Sequence, residues 1–552
     1  MIKKLAFIFS IFIFLFVLAS CRTAKVFNIS IIATSDVHCG IEDNITYAGI
    51  SEFRNERKNS GYKTTLVDCG DFIQGASVGL LSKGKDVIKI LNKVGYDFLT
   101  IGNHEFDYGM DELKDRIDEF NGDVLSCNIK YTGKNDYKLY DVKPYKIVNY
   151  DGVKVGFVGI TTPESTVSST PSVFMEDNEF VYSFSGETPK DFYNVIQNNI
   201  NICRDNGAKY VILLSHLGYG DEYQAFGSVP TMQNLTGYDV ILDGHSHKKI
   251  DTEYYEDSKG KEKPLICLGT KLDCFSEIII TNKGIKEIKL HDSYDKKDEE
   301  ITTFISSITR ENEEFLNSKV STSDIKLDMY TYNGENKIRL TRNRETALGN
   351  FHADAYRYKF NTDIALINGG GIRSGFDVGD ITYKKLYEMA PYGNYGCVIE
   401  VTGQQLLDYL EFGSHKIKAE QNDGNAPIGE FGGFPSVSGL KFTIDTNVES
   451  TIEFDTNGMV KSLGVNRRIK DVYVLNNGEY KPIDITGKYT VAGINYVLLN
   501  KGDGNTLFDD AKVLTAPTPE NIDVNVLKDY FLFLNGNIQA KYNDVEGRIN
   551  II

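Results

Sequence analysis

The alternation of short apolar runs with helical stretches constrains the fold of this chain more than any other feature. From residue 26 to about 294, runs rich in β-branched residues alternate with amphipathic helical patterns, which is typical of an α/β domain. Strands are predicted at 28–33, 64–67, 98–101, 124–127, 153–159, 210–214 and 240–242, and helices at 85–94, 110–120 and 191–206. Asp151-Gly152 separates two apolar runs and predicts a hairpin turn.

Residue types that bind metals follow five of these apolar runs. The segments are Asp36-Val37-His38, Asp68-Cys69-Gly70-Asp71, Gly102-Asn103-His104-Glu105, Ser215-His216-Leu217-Gly218 and Gly244-His245-Ser246-His247. Open α/β sheets bind ligands at the carboxyl ends of their strands, so we expect these segments to converge on one crevice. Asp36 and His38 lie two apart, like His245 and His247, which in an extended segment places both side chains on one face.

Five of the eight histidines in the chain occupy these segments, and together they indicate a metal centre. Each motif alone is more typical of a capped loop or a buried, hydrogen-bonded histidine. The prediction of a metal centre therefore rests on the occurrence of all five motifs together and on their order along the chain.

A second α/β segment follows a charged connector. Residues 298 to about 318 have a helical period without glycine or proline, whereas residues 319–337 mix strand-like and turn residues. Beyond about residue 340, helices are predicted at 349–358, 383–389 and 403–412. The predicted organisation is an export signal at 1–20, a first domain at 21–297, a connector helix and linker at 298–335, and a second domain at 336–552.

Two sets of motifs resemble known families. The order Asp-x-His, Gly-Asp, Gly-Asn-His-Glu, a later His and Gly-His-x-His resembles the calcineurin-like metallophosphoesterases, most specifically in Gly-Asn-His-Glu-Phe-Asp-Tyr-Gly at 102–109. Asn-Gly-Gly-Gly-Ile-Arg at 368–373, Pro-Tyr-Gly-Asn at 391–394, and Asn-Tyr with Gly-Asp-Gly at 495–504 resemble the C-terminal domain of 5′-nucleotidases. The resemblance covers nearly the whole mature chain. It implies an α/β protein with a β-sandwich flanked by helices, a connector helix and a smaller α/β C-terminal domain.

The resemblance implies two divalent metal ions, each bound by four side chains. The implied sets are Asp36, His38, Asp71 and His247 for one ion, and Asp71, Asn103, His216 and His245 for the other. Asp71 would bridge the ions, because the two oxygens of a carboxylate can bind two cations. Mixed nitrogen and oxygen ligation is compatible with Mn, Zn, Fe or Co and does not choose among them.

Two residues beside the implied centre are candidate catalytic groups. His104 follows Asn103, so it would lie near the phosphoryl group and stabilise the transition state and the leaving group. Asp107 would orient the His104 ring and favour its charged form. The alternative is that Asp107 caps the helix that begins near Met110. Glu105 is expected to be structural.

The second segment supplies candidates for substrate binding. The resemblance implies that Arg342, Arg373 and Asn368 hold the phosphate, with Arg339 and Arg344 as weaker candidates. The glycine run that includes Gly370 lets backbone N–H groups approach an anion, although it could also be a simple tight turn.

Two aromatic rings sandwich the base in the family, and this chain has Tyr392 and Tyr496 at those places. Tyrosine keeps the stacking face and adds a hydroxyl, which leaves the base preference open. Asp503 would accept hydrogen bonds from ribose hydroxyls. The alternative is that both tyrosines are core residues, in a chain that has 33 of them.

The first residues predict export. Lys3 and Lys4 precede an apolar run at 5–18 that is short for a membrane-spanning helix, and Leu-Ala-Ser-Cys at 18–21 looks like a bacterial lipobox. Cys21 would then be lipidated and would anchor a periplasmic or cell-surface protein to a membrane. The alternative is an ordinary cleaved signal in which Cys21 is incidental.

The net charge limits the possible binding partners, and the cysteine content limits the possible disulfides. A net charge of -17 argues against a nucleic-acid polymer as the main partner. Seven cysteines besides Cys21 are expected to be mainly buried apolar residues, and Cys267 and Cys274 could pair if their strands meet. Oligomeric state is not encoded in any motif.

The residues and the resemblance together predict hydrolysis of nucleoside 5′-monophosphates to nucleoside and phosphate outside the cytoplasm. We expect the two domains to close on the substrate about the connector. The same scaffold could instead act as a 2′,3′-cyclic-nucleotide phosphodiesterase with 3′-nucleotidase activity, or hydrolyse nucleotide-sugar diphosphates.

Two alternatives are not enzymes. A nucleoside-binding surface lipoprotein would be expected to lack a metal ligand, whereas all seven ligand positions are present. A structural or adhesive lipoprotein would show nucleotide affinity that does not respond to changes at Tyr392 or Tyr496.

Overall fold

The structure, a computed structural model, describes residues 28–184, 188–333, 336–418 and 429–552. The predicted signal at 1–20 and Cys21 lie outside the described residues. Within the described ranges, no helix is long and apolar enough to cross a bilayer. Cys267 and Cys274 are both free thiols.

Two six-stranded sheets form the core of the first domain as the structure describes it. The strands of one sheet, in order across it, are Gly284–His291, Phe275–Thr281, Asn28–Thr34, Lys63–Asp68, Phe98–Thr100 and Asp123–Leu125. Those of the other are Lys249–Glu256, Glu262–Leu268, Val240–Asp243, Tyr210–His216, Val153–Thr161 and Tyr145–Tyr150. The predicted hairpin is confirmed, because Tyr145–Tyr150 and Val153–Thr161 pair antiparallel.

The two sheets pack face to face, because their strands present apolar side chains on both faces. Ile31 of one sheet and Ile212 of the other are fully buried in the shared core. Helices cover the outer face of each sheet. They are Thr46–Asn59, Lys85–Val94, Met110–Glu119 and Glu299–Asn317 on the first sheet, and Pro189–Asp205 and Ser228–Asn234 on the second. The predicted β-sandwich flanked by helices is confirmed.

The central strands of each sheet run parallel. In the first sheet Asn28–Thr34, Lys63–Asp68 and Phe98–Thr100 are parallel neighbours. In the second, Tyr210–His216 pairs in parallel with both Val153–Thr161 and Val240–Asp243. The carboxyl ends of these strands therefore meet at one edge of the sandwich.

The predicted connector is the helix Glu299–Asn317, which Asp298 caps by accepting hydrogen bonds from two backbone N–H groups. The apolar side of this helix, including Ile305, is buried in the core of the first domain. Immediately afterwards, Lys319–Ser323 pairs antiparallel with Gly379–Thr382 of the second domain. Much of the predicted linker therefore belongs to the second domain, and the chain crosses between the domains at Ser318.

The second domain has a five-stranded and a four-stranded sheet in its described part. Their strands, in sheet order, are Pro435–Ser438, Ile364–Asn368, Lys488–Ile494, Gly396–Thr402 and Lys512–Thr515, then Glu479–Pro482, Ile469–Asn476, Leu440–Ile444 and Ile549–Ile551. The longer helices are Ala347–Phe360, Tyr383–Met389, Gly403–Ser414 and Asp523–Leu534. Shorter elements that border the site are Ser77–Ser82, Ser165–Ser168, Tyr330–Asn333, Asn336–Arg339 and Asn495–Leu498.

Candidate active site

A cleft of about 580 Å³ lies between the two domains and is lined by both. The first domain contributes Asp71, Asn103, His104, Asp107, His245 and His247, among others. The second contributes Arg342, Asn368, Gly370, Arg373, Tyr392, Tyr496 and Asp503. The structure therefore brings the candidate catalytic and substrate residues together, with Asp36, His38 and His216 buried at its floor.

The five segments predicted to bind metal do leave their strands at the shared edge. Their backbone, however, is not extended as the spacing argument expected, because five of the ligand candidates have positive φ. The angles are 51° for Asp36, 48° for His38, 61° for Asp71, 75° for His245 and 55° for His247. Left-handed turns after the strands, and not the alternation of an extended segment, direct these side chains inward. Backbone in this region costs about 1–3 kcal/mol per residue and collects at functional sites.

The ligand candidates form two groups that share one carboxylate. The groups are Asp36, His38, Asp71 and His247, and Asp71, His216 and His245, with the ligand atoms of each within 4.8 Å of one another. Asn103 lines the cleft beside them. The two groups contain six of the seven implied ligands, with Asp71 at the shared position.

Unpaired polar atoms show that this donor set fits metal ions. Within the described part of the chain, Asn103 Oδ1 and His216 Nε2 are buried without a hydrogen-bond partner, although His216 Nε2 lies 3.1 Å from Asp71 Oδ2. The other ring nitrogen of His216 bonds to the Cys69 carbonyl at 2.7 Å, and that of His38 bonds to the Gln74 carbonyl at 3.1 Å. Metal-binding histidines are commonly oriented in this way, with the second N–H donated to a carbonyl.

Electrostatics keep two of the ligand candidates, His38 and Asp71, in states that can bind a cation. Burial lowers the pKa of His38 to about 3, so the ring stays neutral and retains a lone pair for a metal. Burial opposes ionisation of Asp71, but the neighbouring His216 and His104 outweigh it and hold the pKa of Asp71 well below its usual range. Asp71 is therefore a carboxylate, the form that can bridge two ions.

Two glycines allow the ligands to approach one another. A Cβ on Gly102 would lie 2.3 Å from Asp71 Oδ1, and a Cβ on Gly244 would lie 2.6 Å from Asp36 Oδ2. Any side chain at these positions would displace a ligand oxygen.

Glu105 is structural, as expected, and it shapes the Asp71 loop. Its Oε2 accepts hydrogen bonds from the backbone N–H groups of Asp71 at 2.8 Å and Gly102 at 2.7 Å. Its Oε1 accepts those of Phe72 at 2.8 Å and Ile73 at 3.3 Å. One fully buried carboxylate thus holds the backbone of residues 71–73 against the backbone of Gly102.

His104 and Asp107 form a hydrogen-bonded pair at the edge of the cleft. His104 Nδ1 lies 2.6 Å from Asp107 Oδ2, and Ser169 Oγ donates to Asp107 Oδ1 at 2.8 Å. Burial disfavours the charged ring, but Asp107 and Asp71 outweigh it and raise the pKa of His104 to about 10. The helix-cap alternative for Asp107 is wrong, because the cap position is Gly109 and no side chain caps that helix.

The phosphate-binding candidates carry excess positive charge. Burial, followed by the neighbouring Arg339 and Arg373, lowers the pKa of Arg342 to about 10. The Nε atoms of Arg339 and Arg342 are buried and have no hydrogen-bond partner among the residues that the structure describes. Neighbouring guanidinium groups that repel one another favour an anion between them. Arg339 lines the cleft, whereas Arg344 is not among its lining residues.

The candidate nucleoside-binding residues lie next to the arginines. The Tyr392 ring stacks at 5.9 Å from the His104 ring, and Arg373 lies over it at 5.6 Å. Asp503 Oδ2 accepts from Asn368 Nδ2 at 3.2 Å. The Tyr496 hydroxyl accepts from the Asp503 N–H at 3.0 Å and donates to the Val167 carbonyl of the first domain at 3.2 Å. The added hydroxyl of Tyr496 therefore makes an interdomain contact and is not free to read the base.

Sequence reasoning missed several residues that border the site. Glu164 Oε2 lies 3.0 Å from His245 Nε2, and Ser169 supports Asp107. Lys416 and Glu430 line the second-domain side of the cleft. No short-range pattern marks these residues, because each acts through contacts between distant segments.

Two family models match this chain. A calcineurin-like phosphoesterase model matches residues 29–249, and a model of the 5′-nucleotidase C-terminal domain matches residues 325–510. The trifunctional nucleotide phosphoesterase protein YfkN of Bacillus subtilis is 26% identical over 95% of this chain, which spans 35% of the length of that protein. A 5′-nucleotidase of Vibrio cholerae is 24% identical, and the match covers 93% of each chain.

Solved structures share the fold. The structure of a 5′-nucleotidase precursor from Thermus thermophilus is similar with a TM-score of 0.73 and 23% identity, covering 95% of this chain and 99% of that one. The sulfate thiohydrolase SoxB of Thermus thermophilus has a TM-score of 0.62 and 16% identity, with coverage of 95% and 96%. These likenesses describe the architecture and do not decide the substrate.

The matched models, the sandwich and the buried Asp and His groups define this chain as a metallophosphoesterase, a hydrolase of phosphoric monoesters that binds divalent metal. Its second domain places it more narrowly. The chain belongs to the 5′-nucleotidase family, whose two domains it carries in the same order.

Proposed function

We propose that this enzyme hydrolyses nucleoside 5′-monophosphates to nucleoside and inorganic phosphate, with two divalent ions bound by the groups that share Asp71. One observation supports this most directly. A single cleft places the Asp and His groups of the first domain against Arg342 and Arg373 of the second. The names of the relatives agree with a nucleotide substrate.

The side chains divide the chemistry between the two domains. When bound, the two ions would activate an attacking water and neutralise the phosphate oxygens. Arg342 and Arg373 hold the phosphate, and Tyr392 and Tyr496 hold the base. His104 stabilises the departing ribose 5′-oxygen while Asp107 keeps its ring oriented.

Phosphate release from 5′-AMP by the chain lacking residues 1–21, with added Mn²⁺, tests the proposal. Asp71→Asn is expected to lose bound metal and turnover together. His104→Ala is expected to keep the metal and lose about 100-fold or more in kcat. Lys114→Ala is a suitable control, since Lys114 lies on the surface and pairs with the neighbouring surface residue Asp118. Bound metal without phosphate release from the parent would refute the proposed substrate.

The same scaffold also suits a second candidate activity. Because a relative matched over 95% of this chain is a trifunctional phosphoesterase, 2′,3′-cyclic AMP and UDP-glucose belong in the same assay. Faster hydrolysis of either would favour the cyclic-nucleotide phosphodiesterase or nucleotide-sugar hydrolase alternative. Nucleotide binding without turnover of any of the three would favour the binding lipoprotein.

Closure of the domains and export are parts of the same proposal. Residues that hold phosphate and base lie on one domain and the ligand groups on the other, with a single chain crossing at Ser318. An engineered disulfide that holds the domains open is expected to abolish turnover and leave metal content unchanged. Export with lipidation at Cys21 rests on the lipobox-like sequence at 18–21.

A further inference from the structure

The short segment 164–169 contacts three separate parts of the site. Glu164 Oε2 lies 3.0 Å from the ring of His245, a metal-ligand candidate. The Val167 carbonyl accepts the 3.2 Å hydrogen bond from Tyr496 of the second domain. Ser169, which is 1% exposed, donates to the carboxylate behind His104. Six consecutive residues thus join the metal centre, the nucleoside side of the cleft and the His104 pair.

We infer that Ser169 is a positioning residue for His104, and that the hydrogen bond between Tyr496 and Val167 couples this positioning to closure of the domains. The inference rests on the proposed function, because it assigns His104 to the leaving group.

The geometry around Asp107 supports the first half of the inference. One carboxylate oxygen bonds to His104 Nδ1 at 2.6 Å, and the other accepts the Ser169 hydroxyl at 2.8 Å. A carboxylate held at both oxygens cannot rotate, so the imidazole that it supports keeps its orientation. Without Ser169, Asp107 keeps its contact with His104 but loses the bond that fixes its plane.

Contacts between the domains support the second half. The helix Ser165–Ser168 lies against the turn Gly502–Gly504, and a Cβ on Gly458 would lie 2.9 Å from the Val167 side chain. The Tyr496 hydroxyl is oriented, because it accepts the Asp503 N–H and donates its own proton to Val167. Separation of the domains would remove these contacts together, only two residues before Ser169.

Kinetics with two leaving groups test the inference. 5′-AMP has a poor alkoxide leaving group, whereas p-nitrophenyl phosphate has a good one that departs without help from an acid. Ser169→Ala is expected to lower kcat on 5′-AMP by about 10- to 100-fold, with little change in KM, and to lower kcat on p-nitrophenyl phosphate far less. Ser169→Thr keeps a hydroxyl and is expected to restore most of the loss.

Ser165→Ala is the matched control. Ser165 is also buried in this segment, and its hydroxyl donates to the nearby Thr162 carbonyl at 2.8 Å. The control is expected to change kcat on either substrate by less than about twofold, because the Ser165 hydroxyl bonds to a backbone carbonyl and does not contact Asp107 or His104. If Ser169→Ala does not fold, kcat on the two substrates is compared for Ser169→Cys instead, because cysteine has a similar volume and is a weaker hydrogen-bond donor.

A double-mutant cycle tests the coupling. Tyr496→Phe keeps the ring and removes the contact with Val167, so it is expected to lower kcat on 5′-AMP several-fold. The variant Ser169→Ala/Tyr496→Phe is expected to match Ser169→Ala alone, because both changes act through the position of Asp107.

The outcomes separate this inference from the proposed function. Equal losses on the two substrates for Ser169→Ala would overturn the positioning role, and additive effects in the cycle would overturn the coupling. A parent enzyme that hydrolyses p-nitrophenyl phosphate but not 5′-AMP would refute the proposed substrate. The positioning role would then be tested with an alkyl phosphate that the parent does hydrolyse.

Discussion

Replacing Glu105 by glutamine is the most informative single change outside the ligand set. Glu105 accepts four backbone hydrogen bonds, two on each carboxylate oxygen, at 2.7 to 3.3 Å. The side chain of glutamine has only one acceptor oxygen. Its NH₂ group would therefore face two of the four backbone N–H donors, which would lose their acceptor. Each buried N–H group left without an acceptor costs about 1–3 kcal/mol, which gives a predicted loss of about 2–6 kcal/mol in the free energy of unfolding.

The same change is expected to weaken metal binding. Two of the four donors are the N–H groups of Asp71 and Gly102, which lie in different loops. A shift of the loop that contains Asp71 moves the proposed bridging carboxylate. Loss of a residue that supports metal ligands typically reduces metal affinity by about 10- to 100-fold. Titration calorimetry with Mn²⁺ measures the affinity, and urea unfolding of the metal-free protein measures the stability.

A surface carboxylate provides the control for this prediction. Glu300→Gln removes an ion pair with Lys93 on an exposed surface and is expected to cost no more than about 1 kcal/mol, with unchanged metal affinity. The reasoning would be refuted by a folded Glu105→Gln protein that has parental stability and binds Mn²⁺ with parental affinity. If that variant does not fold, Glu105→Asp, which keeps both oxygens, allows the affinity measurement.

Three further changes have defined outcomes. Gly102→Ala is expected to lose metal and turnover without unfolding, because its Cβ would lie 2.3 Å from Asp71 Oδ1; full activity would contradict the described centre. In the second domain, burial disfavours the Asp354 carboxylate, but Arg548 and Lys541 outweigh it and lower its pKa to about 2. The stability from this lowered pKa is present above pH about 4 and is lost as the pH falls towards 2. The difference between parent and Asp354→Asn in urea unfolding should therefore shrink by about 1.8 kcal/mol between pH 4 and pH 2, and a constant difference would contradict it. Finally, Cys21→Ala is expected to move the protein from the membrane fraction to the soluble fraction of its host, and continued sedimentation with membranes would exclude the lipid anchor.

Much of the secondary structure followed from local signals. The helices Lys85–Val94 and Tyr383–Met389 have the predicted bounds. Glycines with positive φ at 84 and 95 delimit the first, and the side chain of Thr382 caps the second. Such signals act within a few residues and can be identified from a single sequence.

The residues of the metal centre could be predicted from the sequence, but their backbone conformation could not. The ligand residues occur in short motifs at strand ends, so their identity was visible. The left-handed backbone of Asp36, His38 and Asp71 could not be predicted, because Asp and His adopt positive φ more often than most residues but still only in a minority of positions. The surrounding packing holds them there, and a pairwise spacing rule contains no information about that packing.

Residues whose partners are distant in the sequence gave no local signal. Ser169 lies in a stretch rich in serine and threonine, and its partner Asp107 is 62 positions away. Similarly, the strand Asn28–Thr34 pairs with Phe275–Thr281 near the end of the first domain. Such contacts depend on the closed chain path, which a local pattern does not encode.

The single crossing at Ser318 has a consequence for how such enzymes diversify. The connector helix packs mainly on the first domain, although the Phe315 ring near its end contacts Tyr383 and Tyr387 of the second, and the next strand pairs within the second domain. Recombination at this one peptide could join the same hydrolytic domain to a different ligand-reading domain, with repacking limited to the surface between them. The catalytic residues and the substrate-binding residues can therefore be inherited separately. New substrate specificities on this scaffold should arise mainly by changes in the second domain, C-terminal to Ser318.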